Sequence, residues 1–210
     1  WTRETIVLLV FVLWMCLTTY FAFAPGVAAE QLDKVLKIQL MTFVSLMLLT
    51  QRERIDAIVW TVALSLGFYG IKGGIFTLAT GGGYHVMGPP DSFIGGNNET
   101  GLALLMTIPL MRYLQIETSQ RWLKLGLTGA IVLTLVSVFG TQSRGALVGL
   151  IVMGAIFAWK SPRRMTFVML MAIVIPLVLG FMPESWWERM GTIKTYEEDA
   201  SAMGRIEAWT

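Results

Sequence analysis

The chain of 210 residues has one cysteine, Cys16, and one histidine, His85. A lone thiol excludes an intrachain disulfide and any zinc site built on cysteines. Charge is scarce too. Asp, Glu, Lys and Arg make up 14% of the chain, where a soluble domain carries roughly 25%. So few charges do not cover a water-facing surface, which sets aside disordered, soluble α/β and nucleic-acid-binding readings. The net charge of +2 is too small to draw a polyanion. What the chain has instead is apolar: 55% hydrophobic residues and a mean hydropathy of +0.64. That is the composition of an integral membrane protein. The chain starts at Trp1 and stops at Trp209-Thr210, which reads as a piece of a longer protein.

A hydrocarbon core of about 30 Å takes roughly 20 helical residues. Charge-poor runs predict an all-α polytopic membrane protein with about seven transmembrane helices. The spans lie near 6–24, 35–50, 55–78, 98–114, 125–140, 145–159 and 165–181, and the start of a large outer loop follows at 182–210. Ala22-Phe23-Ala24 mimics a signal-peptidase site. Pro25 would follow the cut, however, and the run before it is long for a signal segment, so the first span reads as retained. Between Lys124 and Lys160 the only charge is Arg144. One helix of that length would measure about 50 Å and must break. Gly140-Thr141-Gln142-Ser143-Arg144-Gly145, with glycine at both ends, is the expected place. The pairs Gly70/Gly74, Gly126/Ala130 and Gly145/Gly149 have the four-residue spacing that suits close helix packing in lipid. Trp159, Trp186 and Trp187 read as interfacial aromatics.

The positive-inside rule orients the chain. With Arg3 cytoplasmic, seven crossings gather nine basic and four acidic residues on that side, a net +5. The other side receives seven basic and ten acidic residues, a net −3. In a bacterium the acidic side is the periplasm.

Three outer features stand out. Lys72, in Phe68-Tyr69-Gly70-Ile71-Lys72-Gly73-Gly74, is an ammonium close to hydrocarbon. It reads either as a snorkelling side chain or as an anion contact, since charges in membranes tend to line substrate paths. The loop from Gly81 to Glu99 is rich in glycine and proline. Asn98-Glu99-Thr100 fits a glycosylation sequon, but Asn98 is better explained as a helix N-cap. His85 reads as a surface residue. The third feature is Thr141-Gln142-Ser143-Arg144-Gly145. A guanidinium stays charged and its planar fork suits phosphate; a pairing of Arg144 with Glu99 is the structural alternative. Ser143 has no evident His and Asp to make it a nucleophile. Farther on, Trp186-Trp187-Glu188-Arg189-Met190 reads as an interfacial helix. Glu197-Glu198-Asp199 reads as a solvated loop rather than a metal site. Gly204-Arg205-Ile206-Glu207-Ala208-Trp209 begins an amphipathic helix that puts Arg205 on the face of Arg144 and Lys72.

Together these motifs resemble the O-antigen ligase and polymerase superfamily. The Thr-Gln-Ser-Arg-Gly break and the outer-loop Gly-Arg-Ile-Glu-Ala-Trp carry the resemblance. Lys72-Gly73-Gly74 and the Gly-Pro-Pro…Asn-Asn loop look more specifically like its exosortase-associated branch of O-glycosylation ligases. The resemblance covers about Tyr69 to Trp209. It implies a membrane glycosyltransferase that takes a glycan from undecaprenyl diphosphate on the periplasmic face of the bacterial inner membrane. The glycan goes to an acceptor hydroxyl on a glycan, lipid or protein. It implies inversion without a metal or cofactor, and that Arg144 and Arg205 hold the diphosphate as catalytic cations. The family's proposed histidine base would lie past Thr210, so this segment alone is expected to be inactive; His85, in a different loop, does not take that role.

The residues agree with such chemistry. A diphosphate leaving group needs preorganised positive charge in a water-poor site. Lys72, Arg144 and Arg205 are candidates, with Lys72, Asn98 and Ser143 read as substrate-binding. A metal-dependent transferase of the oligosaccharyltransferase kind would need an outer Asp-x-Asp pair, and the first outer loop offers only Glu30 and Asp33, three apart. Other readings are a polysaccharide repeat-unit polymerase of the same superfamily, a lipid-glycan flippase or transporter, and an accessory membrane protein. A transporter predicts internal repeats or two matched broken helices. The sequence has one clear break and no repeating halves.

Overall fold

The computed structural model describes residues 2–160 and 180–191, with 172, 176, 203, 204 and 207. Every regular element among them is a helix. In chain order they are α1 (Arg3–Tyr20), α2 (Pro25–Leu48), α3 (Arg52–Ala79), α4 (Asn97–Glu117), α5 (Arg121–Gly140), α6 (Arg144–Lys160) and α7 (Glu184–Gly191). By length and composition α1, α3 and α5 are able to cross a membrane. The expected span at 165–181 falls mostly outside the described residues, as do Arg205 and Glu197-Glu198-Asp199.

The chain forms two compact units, residues 1–58 and 59–210. In the first, α1 and α2 pack on each other across a short connection, yet neither helix contains a buried residue. Their apolar side chains, such as Val7, Trp14, Leu40 and Met47, point outward. In water such a surface would drive aggregation; in lipid it is the solvated state. α2 begins ten residues before the expected second span, because Pro25 fits the first turn, where its missing N–H costs nothing. Glu30 and Asp33, expected in the first outer loop, therefore lie on a helix, and Lys37 pairs with Asp33 at 2.6 Å. That exposed pair contributes at most about 0.5 kcal/mol.

In the second unit α4 is central and packs against both α5 and α6. Ala63, Met111, Leu114, Leu127 and Ala130 form one apolar cluster. Leu104, Leu105, Ile108, Val138 and Ala146 form another, nearer the α5–α6 break. α3 meets α5 along small residues. A Cβ on Gly70 would strike Thr134, one on Gly73 would strike Ser137, and one on Gly74 would strike the Leu133 carbonyl. Gly140 of α5 likewise faces Thr77 of α3. Backbones this close gain dispersion contacts that larger side chains would prevent. The other small-residue pairs behave differently. Gly126 has nothing within 4 Å, while Ala130 is in the core; a Cβ on Gly145 would only touch Ser143 Oγ at 3.9 Å, while one on Gly149 would strike Leu105. Spacing on a helix selects a face, and the neighbouring helix decides which part of that face is used.

α3 ends through glycine. Gly81 has φ 63 and Gly82 has φ 75, and the Gly82 N–H donates to Thr77 O at 2.9 Å, closing a Schellman-type turn. The loop that follows is tightly pinned. Gly88 N–H donates to Gly95 O at 3.2 Å, Ser92 Oγ to Pro89 O at 2.7 Å, and Thr100 Oγ1 to Ile94 O at 2.6 Å.

Candidate functional site

The break between α5 and α6 is three residues long: Thr141, Gln142 and Ser143. The flanking glycines do not make the turn. Gly140 is the last residue of α5 and Gly145 lies in the first turn of α6. The left-handed position is taken by Gln142, φ 52. A non-glycine residue there costs roughly 1–2 kcal/mol, so its surroundings must hold it.

They do so residue by residue. The last carbonyls of a helix have no partner inside it. Here Trp186 Nε1 donates to Phe139 O at 3.2 Å, Val86 N to Gly140 O at 2.9 Å, and Asn97 Nδ2 to Thr141 O at 3.0 Å. Gln142 Nε2 donates to Gly82 O at 2.9 Å, and Ser143 Oγ to Asn98 Oδ1 at 2.7 Å. Five consecutive residues are thus tied to α7, the glycine loop and the start of α4. Thr141, Gln142 and Ser143 are all buried.

Ser143 is the N-cap of α6. Its Oγ accepts the Ala146 N–H at 3.2 Å while donating to Asn98. Its hydroxyl thus takes part in the helix start and in the link to α4. Asn98 itself is not the N-cap of α4. Gly96 holds that position, and the Asn98 side chain crosses to Ser143 instead. The Glu99 carboxylate folds back over Gly96. Two helix N-termini, of α4 and α6, are therefore joined by one hydrogen bond, and each brings partial positive charge. Arg144, half-buried, is the first residue of α6. A cation at a helix N-terminus opposes the helix dipole, and so it raises the local positive potential further.

Trp186 is buried, not interfacial. With Met182, Met190 and Phe139 it forms a small core over the end of α5, and Trp187 alone of the pair is half exposed. Met182 also backs Gly82. Lys72 is exposed on α3, seven residues before the helix end, or about 10 Å along its axis. The structure thus brings Asn98, Ser143 and Arg144 together, and places Lys72 deeper along the bundle. Sequence reading missed the organisers Gly82, Val86, Asn97, Gln142 and Trp186. The Asn97-Asn98 doublet at a helix start was one signal, since two amides there exceed what one cap needs. Gln142 at a break, where glycine is the default, was another.

Residues 1–118 match the family of unknown function DUF5935, more than half of the chain. The chain belongs to that family. Residues 129–210 match the O-antigen ligase family. This second match supports the superfamily resemblance and a membrane protein of the glycan-transfer kind. No curated protein and no solved structure matches the chain. The two matched regions meet at the break. Phe139–Ser143 and Trp186 lie in the O-antigen ligase region, while Gly82, Val86, Asn97 and Asn98 lie in the DUF5935 region.

Proposed function

We propose that the protein is a multi-pass membrane glycosyltransferase that moves a glycan from undecaprenyl diphosphate to an acceptor hydroxyl. The observation that carries this reading is Arg144 at the start of α6, next to a second helix N-terminus bonded to its N-cap. Converging N–H dipoles and a guanidinium suit a phosphate group. The bond broken is that between the sugar's anomeric carbon and the diphosphate oxygen. The bond formed joins that carbon to the acceptor oxygen, with inversion. The electron pair leaves with the diphosphate, whose charge Arg144 and Arg205 neutralise. Lys72 serves as a third cation by extending its stem along the helix. Asn98 and Ser143 form the wall that the headgroup meets. The acceptor proton goes to a base outside the described residues. Cations do the work that a metal would otherwise do.

All seven spans and the periplasmic position of the site in the bacterial inner membrane are part of this reading, supported by the charge asymmetry. So is membership in the exosortase-associated branch. A repeat-unit polymerase would run the same step with a growing glycan as acceptor. In the full chain, Arg144→Ala is expected to abolish glycan transfer with normal membrane levels, and Arg144→Lys to restore it only in part. Normal transfer by the alanine variant overturns the diphosphate role.

A further inference from the structure

We propose that Gln142 is a positioning residue: it fixes Arg144 by clamping the helix break onto the glycine turn of the DUF5935 region. The activity readout rests on the transfer reading above; the clamp itself does not. Gln142 sits in the left-handed conformation that glycine takes freely. Strain of this kind persists where the surroundings over-determine it. Gln142 is 5% exposed and its amide reaches Gly82 O. Gly82 is no loose anchor. It is itself left-handed, its N–H is held by Thr77 O, and Met182 and Pro183 stand behind it. A glycine at 142 would make the turn without strain but would have no clamp. An asparagine tolerates the turn better than most residues but is one methylene shorter. Glutamine gives up conformational ease for reach. The consequence falls on the next turn, because the backbone at 142 and 143 sets the direction in which α6 and Arg144 start. The DUF5935 region thereby acts on the O-antigen ligase region as half of one site.

The test uses the full chain in lipid nanodiscs with Gln142→Gly and Gln142→Glu. An ionised Glu keeps the shape but does not donate to Gly82 O. Two readouts are taken: kcat/KM for a lipid-diphosphate-linked glycan, and amide exchange over 80–88 and 139–147. Gln142→Gly is expected to keep its thermal midpoint within a few degrees. Exchange should rise in both segments together, and kcat/KM should fall at least tenfold. Gln142→Glu should share the loss in activity. A role in turn formation alone predicts the reverse, with the glycine variant as active as the parent. Transfer by Gln142→Gly within twofold of the parent overturns the proposal, as does unchanged exchange at 80–88. If the parent chain transfers no glycan, the transfer reading fails by itself. Exchange then decides the clamp: coupled segments support it, and independent ones overturn it.

Discussion

Ser143 and Asn98 show how one hydrogen bond serves two purposes. Ser143 caps α6 and also ties α6 to α4, because its oxygen accepts from Ala146 while its hydrogen goes to Asn98. Loss of an N-cap serine costs about 1 kcal/mol, and the part that depends on Asn98 is separable. Ser143→Ala and Asn98→Ala should each lower the thermal midpoint in detergent. The double variant should lose less than the sum of the two, since bonded side chains couple. Additive losses would mean that the bond between them contributes nothing to stability. Sequence reading assigned Asn98 to its own helix start. What diverts it is Gly96, which already supplies the cap with an extended backbone, φ −75 and ψ 162. A local signal names a residue able to cap, and a partner across the bundle decides whether it does.

The helices differ in what their glycines are for, and this is an effect of elements rather than of residues. On α3, Gly74 meets the backbone of α5 at Leu133, and backbone has no side-chain torsion with which to yield. On α5, Gly126 faces open space. Gly74→Ala is therefore expected to destabilise the bundle by at least about 1 kcal/mol, in the range of overpacking costs. Gly126→Ala should be neutral or stabilising by up to about 1 kcal/mol, the helix-propensity gain. Thermal unfolding of the two variants in the same detergent checks both signs; equal effects would deny the close α3–α5 approach. Both glycines belong to pairs of the same spacing, so spacing alone did not rank them. The break between α5 and α6 had the same history. Its position followed from length, since one helix from Lys124 to Lys160 is too long for a bilayer. The residue that turns the chain, Gln142, did not follow, because the bond that holds it comes from Gly82, sixty positions away.

At the scale of the whole molecule, the second unit has two ends of different character. Where α4 leads into α5, Arg112, Arg121 and Lys124 gather, and Gln115 bonds to Thr128 across the turn. At the opposite end of α5 stand the glycine loop, the break and α7. The proposed topology puts these ends on opposite sides of the membrane. Tyr84 and Trp122 are exposed markers of the two. In a Cys16→Ser background, Tyr84→Cys should react with a membrane-impermeant maleimide in intact bacteria, and Trp122→Cys only after permeabilisation. Equal labelling of both would remove the orientation. The same geometry explains why the matched regions are contiguous in sequence but interlocked in space. The glycine loop and the start of α4, in the DUF5935 region, bond to the break in the O-antigen ligase region.

The helical membrane class, the place of the α5–α6 break and the arginine at it were legible in the sequence. Those follow from hydropathy, chain length against bilayer thickness, and the rarity of charge, all of which are properties read along the chain. Tertiary structure alone decided which glycines are packed, which residue turns the chain, why Trp186 is buried, and that Asn97, Asn98 and Gly82 serve Arg144's helix. Each of those rests on a hydrogen bond or a contact between residues more than forty positions apart. Partners at that separation leave no local periodicity, because what joins them is the packing of α3, α4, α5 and α7.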